Sequence, residues 1–422
     1  MKKLLLLGNN LGYQEVEQYV RERGDYLIIT DNIPVFQSAA KQSADEAWNI
    51  STMDIDKLYD KCILEKVDGV LATTGEMNLR SAIMLAEKLG RPFYVSLDTW
   101  NSMNDKRCFK EICRKYDLPV SPDYAVEDLQ SEDEFPVIVK PASNSLNRGI
   151  SICFQKEELS AACDKAEKNS KNGKIFIEKY IKGTQLSFFY HMVDGQIECT
   201  DIVEFWRSSE NSLVCAVVGI STSEQTERYM KLYGQKVEIM LRETGCLNGM
   251  ALIQGIVEEK TGKLYFIENN FRLDGVGCFD LHRLYFGIDA VKIITDIALD
   301  GRTDFKPVPY FCRPDKILAH YGIWASEKCR ITKITGLGEI KEHIKDAKIM
   351  VKYHEGEYFD SNDGNGDMIL GFGFSGNNRE DIIKNIQLIN SKVQIYNEKG
   401  NDILIRYEDM EMLRNRKILL KN

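Results

Sequence analysis

Residues 1–100 alternate between two hydrophobic periods. Four consecutive leucines at 4–7 form the unbroken apolar run expected of a strand covered on both faces. A helical repeat over 13–23 follows, then an apolar run over 26–30 that ends in Asp31. A third strand is predicted over 68–72, a helix over 79–89 and a further strand over 92–96. Strands alternating with helices in this way predict an α/β domain built on a doubly wound, mostly parallel sheet.

Beyond residue 100 the pattern changes. A helix is predicted over 106–116, followed by Pro119 and Pro122. Strands over 136–140, 150–154 and 175–178, with a helix over 156–170, make a small α+β module. Long strands (212–220, 251–258, 264–268) and helices (224–244, 290–299) fill the stretch to residue 310. A boundary is expected near 307–314. The remainder reads as a small C-terminal α+β domain with strands at 316–323, 347–352, 368–374 and 403–407. The chain thus divides into 1–100, 101–310, with a projecting part at about 118–185, and 311–422.

Hydrophobic residues at 43% and charged residues at 28% are ordinary for a globular chain. The net charge of −9 lacks the broad basic field that nucleic acids require, so no nucleic-acid partner is expected. Eleven cysteines without a CxxC pair read as reduced structural thiols. Lys2 and Lys3 before the leucines imitate a signal peptide, but the apolar run stops at Gly8, and no run approaches the ~18 residues of a membrane span. A cytoplasmic protein without a membrane partner is the expectation.

Three stretches carry candidate chemistry. In PVIVKPASNSLNRGI (136–150) a strand delivers Lys140 into a polar loop containing Ser143, Ser145, Arg148 and Gly149. Small residues let backbone N–H groups approach a polyphosphate, and the lysine adds a point charge. A surface turn after an exposed lysine is the plainer alternative. In LYFIENNFRLDG (264–275) period two puts Glu268, Asn270 and Arg272 on one face of a strand end. Glu268 and Asn270 offer hard oxygens suited to Mg²⁺, Gln254 on a neighbouring antiparallel strand offers a third, and Arg272 offers a fork for phosphate or carboxylate. An ordinary polar strand end would look the same. In FIEKYIKGTQ (176–185) a strand leaves into a bend whose backbone could meet an adenine edge, with Gln185 near a ribose, although any strand-to-loop connector has this form.

In this order and spacing, the three stretches resemble the ATP-grasp superfamily over about residues 1–310, most closely its carbamoyl-phosphate-synthase and L-amino-acid-ligase branch. Asp31 to Pro34, Ala44, Asp45 and Asp54, together with Asn104 to Lys106, resemble that branch's first domain and the helix after it. The resemblance implies an ATP-grasp fold with a Rossmann-like N-terminal domain and a C-terminal α+β domain. It also implies ATP with Mg²⁺ or Mn²⁺, two ions in all. By motif position, Lys106 and Lys140 would hold phosphates, residues 143–149 would close over them, and Glu178, Lys179, Tyr180 and Ile181 would frame the adenine. Gln254, Glu268 and Asn270 would hold the metal, Arg272 would steady an acyl phosphate, and Asp274 and Gly275 would border the substrate. Arg272 and Lys140 are the implied catalytic pair. Three positions depart from the family pattern: Gln185 stands in place of a ribose-binding glutamate, and Phe271 and Asp274 interrupt an NPRLGG-like stretch.

The implied reaction joins a small-molecule carboxylate to an amine with release of ADP and phosphate, in an enzyme expected to form a homodimer. Two rivals stand beside it: a carbamoyl-phosphate-like or phosphoribosylglycinamide-synthetase-like ligase, and a non-catalytic ATP-binding regulator. Other patterns are weaker. The GxGxxG at 371–376 lacks the βαβ context of a dinucleotide site, and residues 360–367 lack the closing glutamate of a calcium loop. His191 and His282 read as core residues or cleft residues, and Trp206 and Arg207 as packing or as contacts to the amine. No P-loop, HExxH or GxSxG is present.

Overall fold

The computed structural model describes residues 1–129, 131–142, 149–170, 173–207, 216–221, 223–310, 316–325, 327–359, 367–415 and 420. The four leucines are fully buried in β1 (Lys3–Leu7). With β2 (Tyr26–Thr30), β3 (Glu46–Trp48) and β4 (Gly69–Leu71) they form a parallel sheet in the order β3-β2-β1-β4. Helices Tyr13–Glu22, Ala39–Ser43 and Ile55–Glu65 connect these strands, and Glu76–Leu89 follows β4. The strand expected at 92–96 does not form. Pro92 has no N–H to give a ladder, and Tyr94 turns inward, where its hydroxyl donates to the Phe271 carbonyl at 2.6 Å. The sheet gains β3 instead, whose three residues are too short to register as a hydropathy pattern.

The projecting module is a four-stranded antiparallel sheet of β5 (Asp123–Tyr124), β6 (Val137–Pro141), β7 (Ser151–Cys153) and β8 (Ile175–Lys179), in the order β5-β8-β6-β7. Helix Leu159–Lys168 covers its small core of Leu129, Val137, Val139 and Ile177. The helix expected to begin at 156 opens instead with a 3₁₀ turn, Lys156–Glu158. The polar-loop residues 143–148, including Ser143, Ser145 and Arg148, lie outside the described residues, as do 212–215 of the expected strand 212–220 and 360–366 of the calcium-like stretch.

The main sheet contains β9 (Gly183–Val193), β10 (Gln196–Arg207), β11 (Ala216–Ser221), β12 (Gly249–Glu258) and β13 (Leu264–Asn270). From the later residues come β14 (Ile317–Ala325), β15 (Cys329–Thr335), β16 (Lys348–Val351), β17 (Tyr358–Phe359), β18 (Asp367–Gly376) and β19 (Gln394–Asn397). Eight of these strands run β13-β12-β9-β10-β11-β14-β18-β16, antiparallel throughout, while β17-β15-β19 make a separate small sheet. Three strands from beyond residue 316 therefore extend the central sheet. The hydropathy pattern misses β5, β15, β17 and β19, and also β9 and β10, the longest strands of the main sheet, whose apolar pattern is interrupted by buried Thr184, Ser187, His191, Thr200, Asp201 and Glu204. The strand expected at 403–407 is reduced to a single bridge, Ile405 to Trp324. The glycines at 371 and 373 lie inside β18, where Met350 and Leu281 occupy the space a side chain would need, so the GxGxxG serves packing.

Helix Ala290–Asp300 joins the layers. It packs on β1, β4 and β12. Gly69 admits it closely: a Cβ there would lie 2.4 Å from the Ala298 carbonyl oxygen. Arg23 donates to Asp296 at 2.5 Å and to Asp300 at 2.8 Å, tying the helix to the N-terminal sheet. Among the described residues, no helix is long and apolar enough to cross a membrane.

Gly183, where the module joins the main sheet, pairs with Glu258, and a Cβ there would stand 1.9 Å from the Val257 carbonyl oxygen. Gly183→Ala is expected to cost about 1–3 kcal/mol as the β9–β12 ladder shifts. Differential scanning calorimetry should show a lower Tm, and an unchanged Tm would mean that the ladder yields freely.

Candidate active site

A cleft of about 2520 Å³ runs between the carboxyl ends of the N-terminal strands, the projecting module and one face of the main sheet. The β12–β13 pairing sets its floor. Gln254 lies directly across from Glu268, and Leu252 across from Asn270, so Gln254, Glu268 and Asn270 share a face. All three line the cleft. The amide nitrogen of Asn270, which is only 8% exposed, has no partner. Lys106 is the first residue of helix Lys106–Lys115, whose start is capped by Asp105, and its Nζ sits 3.9 Å from Glu268 Oε2.

A buried carboxylate holds the cleft's roof. Glu178 Oε1 accepts from Lys140 Nζ at 2.6 Å and stands 3.5 Å from Lys110 Nζ; Oε2 accepts from Ser121 Oγ at 2.7 Å. Burial alone would raise the Glu178 carboxyl, but the Lys140 and Lys110 charges and the hydrogen bonds from Lys140 and Ser121 outweigh it and hold the group below its ordinary value. Lys110 also pairs with Asp123, which Arg114 contacts in turn. Lys140 reaches the cleft as expected, already paired with Glu178.

The connector after β8 lines the cleft through Lys179, Tyr180 and Ile181, with Gln185 beyond them. The Lys179 side chain turns to Glu258 at 2.8 Å, and the Tyr180 N–H donates to the Pro136 carbonyl at 3.0 Å. Gly149 has φ +77° and abuts Asn169; it is not among the residues that line the cleft. Arg272 Nε donates to Glu76 Oε2 at 3.1 Å and Nη1 to the Leu273 carbonyl. Asp274 lines the cleft wall, but its carboxylate already accepts the N–H groups of Val276, Cys278 and Phe279 at 2.9–3.0 Å, which shapes the loop that exposes Gly275. Asp31 is ion-paired with the fully buried Lys41 at 2.7 Å, away from any ribose role. His191 bonds to Thr200 and His282 to Asp201, beneath the cleft floor, and burial pushes His191 down to about 3. Trp206 and Arg207 do line the cleft.

Residues 105–301 match the protein family described as the ATP-binding domain of the carbamoyl-phosphate synthase L chain. The fold is that of the ATP-grasp proteins. The chain is 25% identical over 225 residues to the carbamoyl phosphate synthase large chain of Clostridium acetobutylicum, an alignment covering 47% of this chain and 21% of that one. It thus spans about a fifth of that relative's length. Its fold is similar to the L-amino acid ligase of Bacillus licheniformis, with TM-score 0.76 and 17% identity over 94% of this chain and 99% of that one. It is also similar to the biotin carboxylase domain dimer of Hydrogenobacter thermophilus 2-oxoglutarate carboxylase, with TM-score 0.75 and 19% identity over 99% of both chains.

Sequence patterns alone do not single out Lys110, Ser121, Glu76 and Trp100. Lys110 lies one helical turn after Lys106, a spacing that could have placed both on one side of the helix. The other three depend on long-range packing and leave no local signal.

Removing one partner of a buried charge cluster leaves the other uncompensated, so Lys110→Met is expected to destabilise the chain by about 3–5 kcal/mol, read by urea unfolding. The Glu178 carboxyl titrates lower in the folded state than its unfolded value of about 4.3. Its stabilisation is therefore present above that pH and is lost as pH falls through the lower folded value. Glu178→Gln should flatten this acid-side loss; identical pH profiles for the two proteins would contradict the pairing.

Proposed function

We propose that the chain is an ATP-dependent carboxylate–amine ligase that forms an amide through an acyl phosphate and acts on an amino-acid-like substrate. The observation that carries this reading is the convergence, on one cleft, of the oxygen face Gln254, Glu268 and Asn270 with Lys106, Lys140 and Arg272. Among the described residues, no three histidine, cysteine or acidic side chains gather as a metal site. One carboxylate with two carboxamide oxygens fits Mg²⁺ or Mn²⁺ shared with phosphate oxygens, and two such ions suit the reading. When bound, such an ion neutralises charge on the β- and γ-phosphates.

The protein's own residues do the rest. Lys106 and Lys140 place positive charge where the transferred phosphoryl group gathers negative charge. Glu178 keeps Lys140 extended toward the phosphates. The backbone at Lys179, Tyr180 and Ile181 frames the adenine, with Gln185 at the ribose. Arg272, held by Glu76, faces the acyl phosphate from the N-terminal side, and Gly275 leaves the adjoining wall open. The projecting module and its loop at 143–149 exclude water while the acyl phosphate exists, since that species hydrolyses quickly. An amine then displaces phosphate, and no covalent enzyme nucleophile is needed. A similar domain is described as a dimer, and a homodimer is the assembly this reading carries.

Phosphate release from ATP should require both an acid and an amine, across a panel of amino-acid pairs and of bicarbonate with ammonia. Glu268→Gln should lower that rate by about 10²–10³-fold. An unchanged rate would remove Glu268 from the metal site, and a rate independent of the acid would overturn the ligase reading. Light scattering of the purified chain should give twice the mass of 48.3 kDa; the single mass would overturn the dimer.

A further inference from the structure

We propose that Glu76 receives the acceptor amine as its ammonium ion and takes the proton that must leave before attack. The inference rests on the ligase reading above. Glu76 opens helix Glu76–Leu89 at the carboxyl ends of the parallel strands, where open α/β sheets present their ligand-binding groups. Its Oε2 is taken by Arg272 Nε. Its Oε1 is enclosed and accepts no hydrogen bond, yet the side chain keeps 29% of its exposure and lines the cleft. An acceptor oxygen is thus left over, one residue removed from the cation placed at the acyl phosphate.

The surroundings favour an N–H ligand there. Asn78, on the same helix, donates to Asn10 Oδ1 at 2.7 Å and accepts from Thr52 Oγ1 at 2.7 Å, so the Asn78 amide does not compete for Oε1. The Trp100 indole N–H faces the Glu76 carboxyl, but no hydrogen bond of normal geometry joins the two. Trp100 is 8% exposed and Asn269 1%; both line the cleft, and the Trp100 Nε1 and both polar atoms of the Asn269 amide lack partners. Burial raises the Glu76 carboxyl above its ordinary value against the pull of Arg272, and Glu268 adds to the rise. A carboxylate so placed repels a second carboxylate and attracts a protonated amine. The unmatched donors of Trp100 and Asn269 suit the carboxylate of an amino acid.

The step balances. An ammonium donor gives one proton to Glu76, and the freed nitrogen lone pair attacks the acyl carbon. The carbon–oxygen bond to phosphate breaks, and phosphate leaves with the second proton. Glu76 then returns its proton to solvent. Hydroxylamine, which is uncharged at neutral pH, has no proton to give up before attack.

The test compares hydroxamate formation with amide formation from a protonated amino-acid acceptor, each with ATP, Mg²⁺ and the same acid. In Glu76→Gln the ratio of amide to hydroxamate rates should fall by about 10²-fold. Glu76→Asp, which keeps the carboxylate, should hold the ratio close to that of the unaltered protein. A ratio unchanged in Glu76→Gln, whether both rates fall together or neither falls, overturns the proposal, because Glu76 would then act only on Arg272 or not at all. No hydroxamate from the unaltered protein with any acid of the panel would overturn the ligase reading itself, and this proposal with it.

Discussion

A carboxylate taken out of water must find compensating charge, and Glu178 sets this requirement for the whole cleft. It sits on β8 of the projecting module, yet its partners come from three other places: Lys140 on β6, Lys110 on helix Lys106–Lys115 and Ser121 on the segment leading to β5. The helix belongs to the body of the molecule, so one buried charge fixes the module's root to the body. It also orients the lysine that the cleft needs. Satisfying Glu178 and aiming Lys140 are the same geometric event, and this explains why Lys140 is only 13% exposed although it lines the cleft.

The second constraint is the register of β12 against β13. Antiparallel pairing places Gln254 opposite Glu268, and a bulge after Gln254 absorbs the mismatch before the apolar ends resume. The polar face stays on the cleft while Ile253 and Phe266 remain in the core. A slip of one residue would turn these polar side chains inward. The N-terminal sheet contributes through Tyr94, whose hydroxyl grips the Phe271 carbonyl just where β13 ends and Arg272 begins its turn.

The legible parts of the sequence were those with a local physical cause. The leucine run, the β12–β13 polar face and the helix beginning at Lys106 each follow from periodicity or capping within a dozen residues. β9 and β10 hid because long strands at the centre of a sheet can carry buried polar groups that neighbouring strands satisfy, as Ser221 does for Asp201. The strand expected at 92–96 failed because a proline and an inward tyrosine outweighed hydropathy. At the site, Lys140, Gln254, Glu268, Asn270 and Arg272 were legible as spaced residue types. Glu76 and Trp100 were not, since their meaning depends on a helix start and a strand end brought together from nearly 200 positions apart.

The order of strands in the main sheet bears on how the chain can be divided. β11 lies between β10 and β14, and β14 arrives only after residue 316. A fragment ending near residue 310 would leave β11 with a row of bare N–H and C=O groups along one side, the kind of open edge to which other chains attach as fibrils or swapped dimers. The part that carries the cleft and the C-terminal part are therefore one folding unit. Attempts to graft this cleft onto another scaffold would have to carry β14, β18 and β16 with it.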